Sequence, residues 1–207
     1  MTSPMMPRLI EPVTLSGQHA WLEPLGPEHV DEIRAAASDG DLWKLWYTSV
    51  PSPEKTSDWL AIALDMRERL GAMPFVVREM RDGQPGKVVG ATRLFNVDEA
   101  NRRLEIGHTW YAQSVQRTAI NTECKLLLLT HAFETLRCIA VEFRTHWMNH
   151  QSRAAIARLG AKQDGVLRNH QRMPDGSFRD TVVFSIIESE WLTVKRHLQY
   201  KLEQPRN

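Results

Sequence analysis

Residues 105–123 gather the side chains best suited to chemistry. Glu105 and His108 stand three positions apart, and each can accept a proton, the imidazole near neutral pH. Beyond them, Gln116-Arg117-Thr118-Ala119-Ile120-Asn121-Thr122 occupies the point where a strand is expected to hand over to a helix. The first turn of a helix leaves backbone N–H groups without intrahelical partners, and with the helix dipole these favour a phosphate. The stretch thus joins an anion-binding helix start to a carboxylate and an imidazole on the preceding strand. Two further polar residues, Asn149 and Ser152, open another expected helix, Asn149 as its cap and Ser152 in its first turn.

The elements that must hold these residues follow from pattern. Residues 13–25 read as strand, turn and strand, with Ser16-Gly17 at the turn. A helix is expected over 27–37, opened by Pro27-Glu28. Ser52-Pro53-Glu54-Lys55 starts another, which runs to Leu70 and ends at Gly71. Three strands follow over 75–80, 87–95 and 103–111. In the third, Leu104, Ile106, His108 and Trp110 are expected on one face and Glu105, Gly107 and Thr109 on the other. A loop over 112–117 precedes a helix to Leu136 whose broad apolar surface requires burial. A strand over 139–145, a short helix ending at Leu159-Gly160, a hairpin of 165–169 with 181–187, and a last helix capped by Ser189 complete the chain. This order predicts an α/β or α+β mixed sheet. Residues 1–12 are expected to be a flexible N-terminus, 13–195 one domain, and 196–207 a helix end and tail.

Composition narrows the classes. The 207 residues are 42% hydrophobic and 25% charged, ordinary for a globular protein, and the formal charge of +1 argues against a chain built to grip nucleic acid. No apolar run approaches membrane-span length and Met1 to Pro12 carries no secretory pattern, so a soluble cytoplasmic protein is the expectation. Cys124 and Cys138 lie on the order of 20 Å apart if one helix joins them, too far for a disulfide, so reduced core thiols are expected. Within the near-neutral total, residues 137–179 hold eight Lys/Arg and three Asp/Glu, a net of +5. That segment suits a polyanionic small molecule, and equally an exposed solvated face.

Gln116-Arg117-Thr118-Ala119-Ile120-Asn121 resembles the Gln/Arg-x-x-Gly-x-Gly/Ala pyrophosphate loop of the GNAT superfamily of N-acetyltransferases. Glu105-Ile106-Gly107-His108-Thr109-Trp110 looks like the family's fourth strand, and Asn149-x-x-Ser152 leading to Arg158-Leu159-Gly160 resembles its Asn-x-x-Ser…Leu-Gly segment. Gly165-Val166-Leu167-Arg168, Asp175-Gly176 and Glu190-Trp191 are similar to the end of the ribosomal-protein-acetylating (RimJ/RimL-type) branch. The likeness covers residues 13–195 and is densest over 103–191. It departs at Ala119, where the family has Gly, and at Asn121, which stands at the Gly/Ala position; Ala adds a methyl but keeps helical dihedrals.

The resemblance implies a mixed, mostly antiparallel sheet of about six to seven strands, flanked by helices and splayed between the family's fourth and fifth strands, here 103–111 and 139–145. It implies acetyl-CoA as co-substrate, no metal, and a small amine or a protein N-terminus as acceptor. It implies no nucleic acid and no membrane, and allows a homodimer. Coenzyme contacts would fall on Trp110 and Tyr111, whose strand end would supply a backbone donor to the oxyanion. They would also fall on Gln116, Arg117, Thr118, Ala119, Ile120, Asn121 and Thr122, and on Asn149, Ser152 and Arg153. Glu105 is the first candidate base, against a structural Glu paired with Arg103 or Arg144; His108 is a second, against a core imidazole. Ser152 takes the place of the family's usual Tyr acid, which this chain lacks in its Ala154-Ala155-Ile156-Ala157 helix. Trp43, Trp46 and Tyr47 are candidates for the acceptor wall, against core packing. A non-catalytic acyl-CoA-binding domain on the same fold is the alternative.

Overall fold

A computed structural model describes residues 9–48 and 50–204. Eight strands form one sheet in the order β1-β2-β3-β4-β5-β6-β8-β7. They are β1 (Leu15–Ser16), β2 (Ala20–Pro24), β3 (Met73–Arg81), β4 (Gln84–Asp98), β5 (Arg103–Tyr111), β6 (Ala140–His146), β7 (Lys162–Arg172) and β8 (Phe178–Ile187). The helices are α1 (Val30–Ala37), α2 (Thr56–Leu70), α3 (Ala119–Thr130), α4 (His150–Arg158) and α5 (Glu188–Glu203). Every neighbouring pair is antiparallel except β5 and β6, which α3 connects in parallel. The count exceeds the expected six to seven because the two-residue β1 pairs with β2 on its own.

The sheet separates two cores. On one side Ile33, Ala36, Leu60 and Ala63 of α1 and α2 pack on Val76, Ala91 and Trp110. On the other, Ile120, Cys124, Leu128 and Leu129 of α3 join Trp191, Val194 and Leu198 of α5 over Leu104, Ile106 and Val141. Both cysteines are free and buried. Ile10 is also buried in the second core, ahead of the expected start at Val13, while residues 1–8 lie outside the described residues.

Local chemistry sets several ends. Gly71 closes α2 in the left-handed region at φ 65°. Thr118 caps α3, its Oγ1 accepting from the Ile120 N–H at 3.4 Å and donating to the Val115 carbonyl at 2.7 Å. The single helix expected to Leu136 instead finishes in a π-helical turn, His131–Thr135, whose Glu134 receives the Trp191 indole N–H at 2.8 Å and so anchors α5. Ser189 does not cap α5; the helix starts from an extended Ile187, which β8 carries directly into it. Glu123 ties α3 to the β1–β2 turn by accepting the N–H groups of Gln18, His19 and Ala20 at 2.9, 2.5 and 2.7 Å. A Cβ at Gly17 would collide with that carboxylate, so the turn needs glycine.

Candidate active site

β5 and β6 pair only at Arg103–Glu105 against Ala140–Glu142. Past Glu105 the ladder ends and the strands part, opening the expected splay. The loop after β5 is held from two directions. Asp39, just after α1, accepts the Ser114 N–H at 3.2 Å and hydroxyl at 2.5 Å, and Gln116 Nε2 donates to the Tyr111 carbonyl at 3.2 Å. Arg117 takes φ 64°, a strained left-handed conformation for a non-glycine. Ala119 keeps right-handed dihedrals as the first residue of α3, whose first turn carries no acidic side chain. The uncompensated positive end of α3, with Arg117 beside it, fits a diphosphate. Ile120 and Thr122 are buried.

The strand alternation expected for β5 breaks at His108. Ala91 faces Trp110 and Arg93 faces Gly107 across β4, so His108 and Thr109 together oppose the single Thr92, and His108 adopts φ 49°. This bulge moves Trp110 away from the face of Leu104 and Ile106 and onto the face of Glu105. Trp110 there meets Trp59 of α2 edge-on at 6.0 Å. Thr109 turns to the α3 side, where the Lys125 ammonium donates to its hydroxyl at 2.8 Å.

Glu105 is 4% exposed. Asn96 Nδ2 donates to its Oε2 at 2.9 Å and Arg144 Nε stands 3.4 Å from the same oxygen. Burial pushes its pKa up, and Asn96 and Arg144 only partly offset that. Arg103 pairs with Glu142 instead, at 2.6 Å. His108 packs edge-on to Phe95 at 5.0 Å. Burial first, then the Arg93 and Arg179 charges, pull its pKa down to about 4, so the ring is neutral at pH 7 and weakly basic. On β6, buried His146 accepts the Met148 N–H at Nδ1 over 3.0 Å, which leaves the proton on an unpartnered Nε2. The Trp46 indole stands edge-on to it at 4.9 Å and Tyr47 lies at 6.4 Å, so the loop before α2 reaches across to the end of β6.

The acetyltransferase (GNAT) domain family matches residues 19–162. The chain belongs to the GNAT acetyltransferase family. A Bacillus subtilis (strain 168) relative, named "Putative ribosomal N-acetyltransferase YdaF", is 33% identical over 106 residues, 51% of this chain and 57% of that protein. The chain thus spans a little over half the length of the curated relative it matches. The crystal structure of a GCN5-related N-acetyltransferase from Brucella melitensis is similar at TM-score 0.82 and 30% identity, over 94% of this chain and 87% of that one. Mycobacterium smegmatis RimJ, in complex with CoA-disulfide, shares the fold at TM-score 0.72 and 22% identity, over 92% of this chain and 95% of that one. The Bacillus and Mycobacterium names fall in the RimJ/RimL-like branch.

Within the GNAT frame, some expected site residues converge and others do not. Asn149 caps α4, its Oδ1 accepting the Ser152 N–H at 2.9 Å, which leaves its amide donors and the Ser152 hydroxyl for other partners. Arg153 stacks on Trp147 at 4.1 Å and donates to its carbonyl. Trp43 stands apart, exposed, with the Lys44 ammonium over its ring. Sequence reasoning did not single out Arg93, Asn96 or Arg179. Their common signal is cross-strand register, which a linear pattern does not carry. Among the described residues no cluster of His, Cys, Asp or Glu could hold a metal ion.

Proposed function

We infer that the protein transfers an acetyl group from acetyl-CoA to a primary amine by direct attack. The observation that carries this reading is the parting of β5 and β6 immediately past Glu105, with the first turn of α3 and Arg117 at the same end of the sheet. When bound, acetyl-CoA supplies the acetyl thioester. The backbone of residues 116–122 would hold its diphosphate, with Asn149 and Arg153 on the opposite strand's side. Glu105 takes the proton from the attacking amine, directly or through a water; its burial shifts it toward neutrality, the direction a general base needs. His108 is shifted the other way and suits a neutral wall. A backbone N–H at the bulged end of β5, towards Trp110 and Tyr111, would meet the developing oxyanion. Ser152 or the Nε2–H of His146 would return a proton to the leaving sulfur. Trp46 and Tyr47 border the opening on the acceptor side.

The names of the relatives support a protein N-terminus as one acceptor class, beside small amines. Ala119 at helical dihedrals keeps the first-turn donors, which weakens the departure that favoured a non-catalytic domain. The deciding experiment is thiol release from acetyl-CoA against a panel of amines and N-terminal peptides, with acetylated product identified by mass. Coenzyme-dependent thermal stabilisation without release on any amine would leave only the binding domain, and no stabilisation by acetyl-CoA would remove both.

A further inference from the structure

Among the described residues, Arg93 is a buried cation without an anion partner. It lies on β4 opposite Gly107, and the next like-facing pair along the ladder is Phe95 with Glu105. Arg93, Phe95, Glu105 and Gly107 therefore share one face, and Arg93 is the diagonal neighbour of the candidate base, within reach of a long side chain. The residue is only 1% exposed. Its Nη1 donates to the Met66 thioether at 3.0 Å and its guanidinium lies 4.9 Å from the Trp59 ring centroid. Nε and Nη2 are buried with no hydrogen-bond partner among the described residues.

Those two nitrogens form one edge of the guanidinium fork, the edge that binds a carboxylate through two parallel hydrogen bonds. A structural arginine at this depth would be expected to meet a carboxylate of the protein, because an unpaired buried charge is strongly unfavourable. The carboxylates of the neighbouring strands are committed elsewhere: Glu105 to Asn96 and Arg144, and Glu142 to Arg103 and Arg144. Arg179, on β8, makes no contact ion pair among the described residues, hydrogen-bonds the Thr181 hydroxyl at 3.0 Å and feels the Glu105 charge. The charges of both guanidiniums lower the His108 pKa. Gly107 places no side chain opposite Arg93, and Phe95 covers the glycine instead.

We propose that the buried, unpaired Nε/Nη2 edge of Arg93 receives a carboxylate carried by the acceptor, so that Arg93 selects amines bearing an acid group close to the reacting nitrogen. The acid is either the α-carboxylate of a free amino acid or the side chain of an acidic first residue in a peptide. The proposal rests on acetyl transfer at Glu105, and its tests separate the two claims.

Thiol release is measured with glycine, β-alanine and 4-aminobutanoate against their carboxamides, and with Asp-Ala-Ala against Asn-Ala-Ala. The expected result is a kcat/KM about thirtyfold higher for the acid member of at least one pair, the pair identifying the source of the carboxylate. In Arg93→Met that ratio falls to about one while the KM for acetyl-CoA holds; Arg93→Lys, with charge but no fork, falls between. Arg93→Met also melts at or above the wild-type temperature, because it replaces an unpaired buried charge with an apolar chain. If no amine is acetylated although acetyl-CoA stabilises the fold, the transfer reading fails alone. Arg93 is then read from thermal shifts with CoA and N-acetylglycine or N-acetylaspartate against their amides, expected only for the acids and absent in Arg93→Met. Equal wild-type behaviour of acids and amides overturns the proposal, as does a preference that survives Arg93→Met. Loss of thermal stability in both Arg93→Met and Arg93→Lys would make the residue structural.

Discussion

Asn96 and Glu105 meet across β4 and β5 at 2.9 Å, with Asn96 held at φ 49° where β4 loses register beyond Phe95. An irregular strand thus aims an amide donor at the candidate base. Glu105→Gln is expected to lower kcat by about a hundredfold with acetyl-CoA binding intact. The deficit should shrink as pH rises, because the acceptor then loses its proton to solvent. The Asn96 hydrogen bond lowers the Glu105 pKa, so Asn96→Ala should raise it and move the acid limb of the kcat profile to higher pH. An unchanged limb in Asn96→Ala, or unchanged turnover in Glu105→Gln across pH, removes Glu105 from the mechanism.

Asn149 serves α4 through its carbonyl oxygen alone, so its two candidate roles can be parted. Asn149→Ala is expected to cost about 1 kcal/mol of stability through the lost cap. Asn149→Asp keeps an accepting oxygen and should melt near wild type, yet raise the KM for acetyl-CoA by losing the amide donors. Equal KM values in wild type and Asn149→Asp would leave it a cap only.

Lys125 is 5% exposed, and burial lowers its pKa from the ordinary 10.5 to about 8. Below pH 8 both folded and unfolded chains carry the proton, and the folded chain bears the full cost of the buried charge. Between pH 8 and 10.5 the unfolded chain binds more protons, so stability rises with pH, by about 3 kcal/mol for this group. Urea melts across that window should show the rise in wild type and a flatter curve in Lys125→Met.

Glu123 holds three backbone amides of the β1–β2 turn. Glu123→Ala leaves those donors without their charged acceptor and should lower stability by about 3 kcal/mol, read as a shifted urea midpoint. Ala119→Gly is expected to hold or improve acetyl-CoA affinity; a clear loss would move the diphosphate away from this loop.

Local signals carried the element order well. Gly71 ends α2 and Asn149 opens α4 because each acts on its own turn, and Thr118 heads α3 for the same reason. Glu105 and the loop at Gln116 were legible together because one strand and one helix start place them. The bulge at His108 was not, since an inserted residue leaves no mark in a period-two pattern. Arg93 read as one polar position in a strand; only the packing of α2 over β4 shows it buried beneath Trp59 and Met66. His146 acquired its aromatic neighbours from a loop a hundred residues earlier in the chain, Trp46 and Tyr47.

The extra residue in β5 works as a change of reading frame written in the backbone. Before it, odd-numbered positions look toward α1 and α2; after it, even-numbered ones do. Glu105 and Trp110, an odd number of residues apart, consequently address the same layer, which regular pleating forbids. Regular pleating of the same residues between Gly107 and Trp110, with none removed, would exchange the neighbourhoods of Thr109 and Trp110. The indole would then be driven among the leucines of α3, Lys125 would lose its hydroxyl partner, and the wall beside Glu105 would be gone. Deleting His108 alone should instead straighten the strand and leave Thr109 and Trp110 on their present faces.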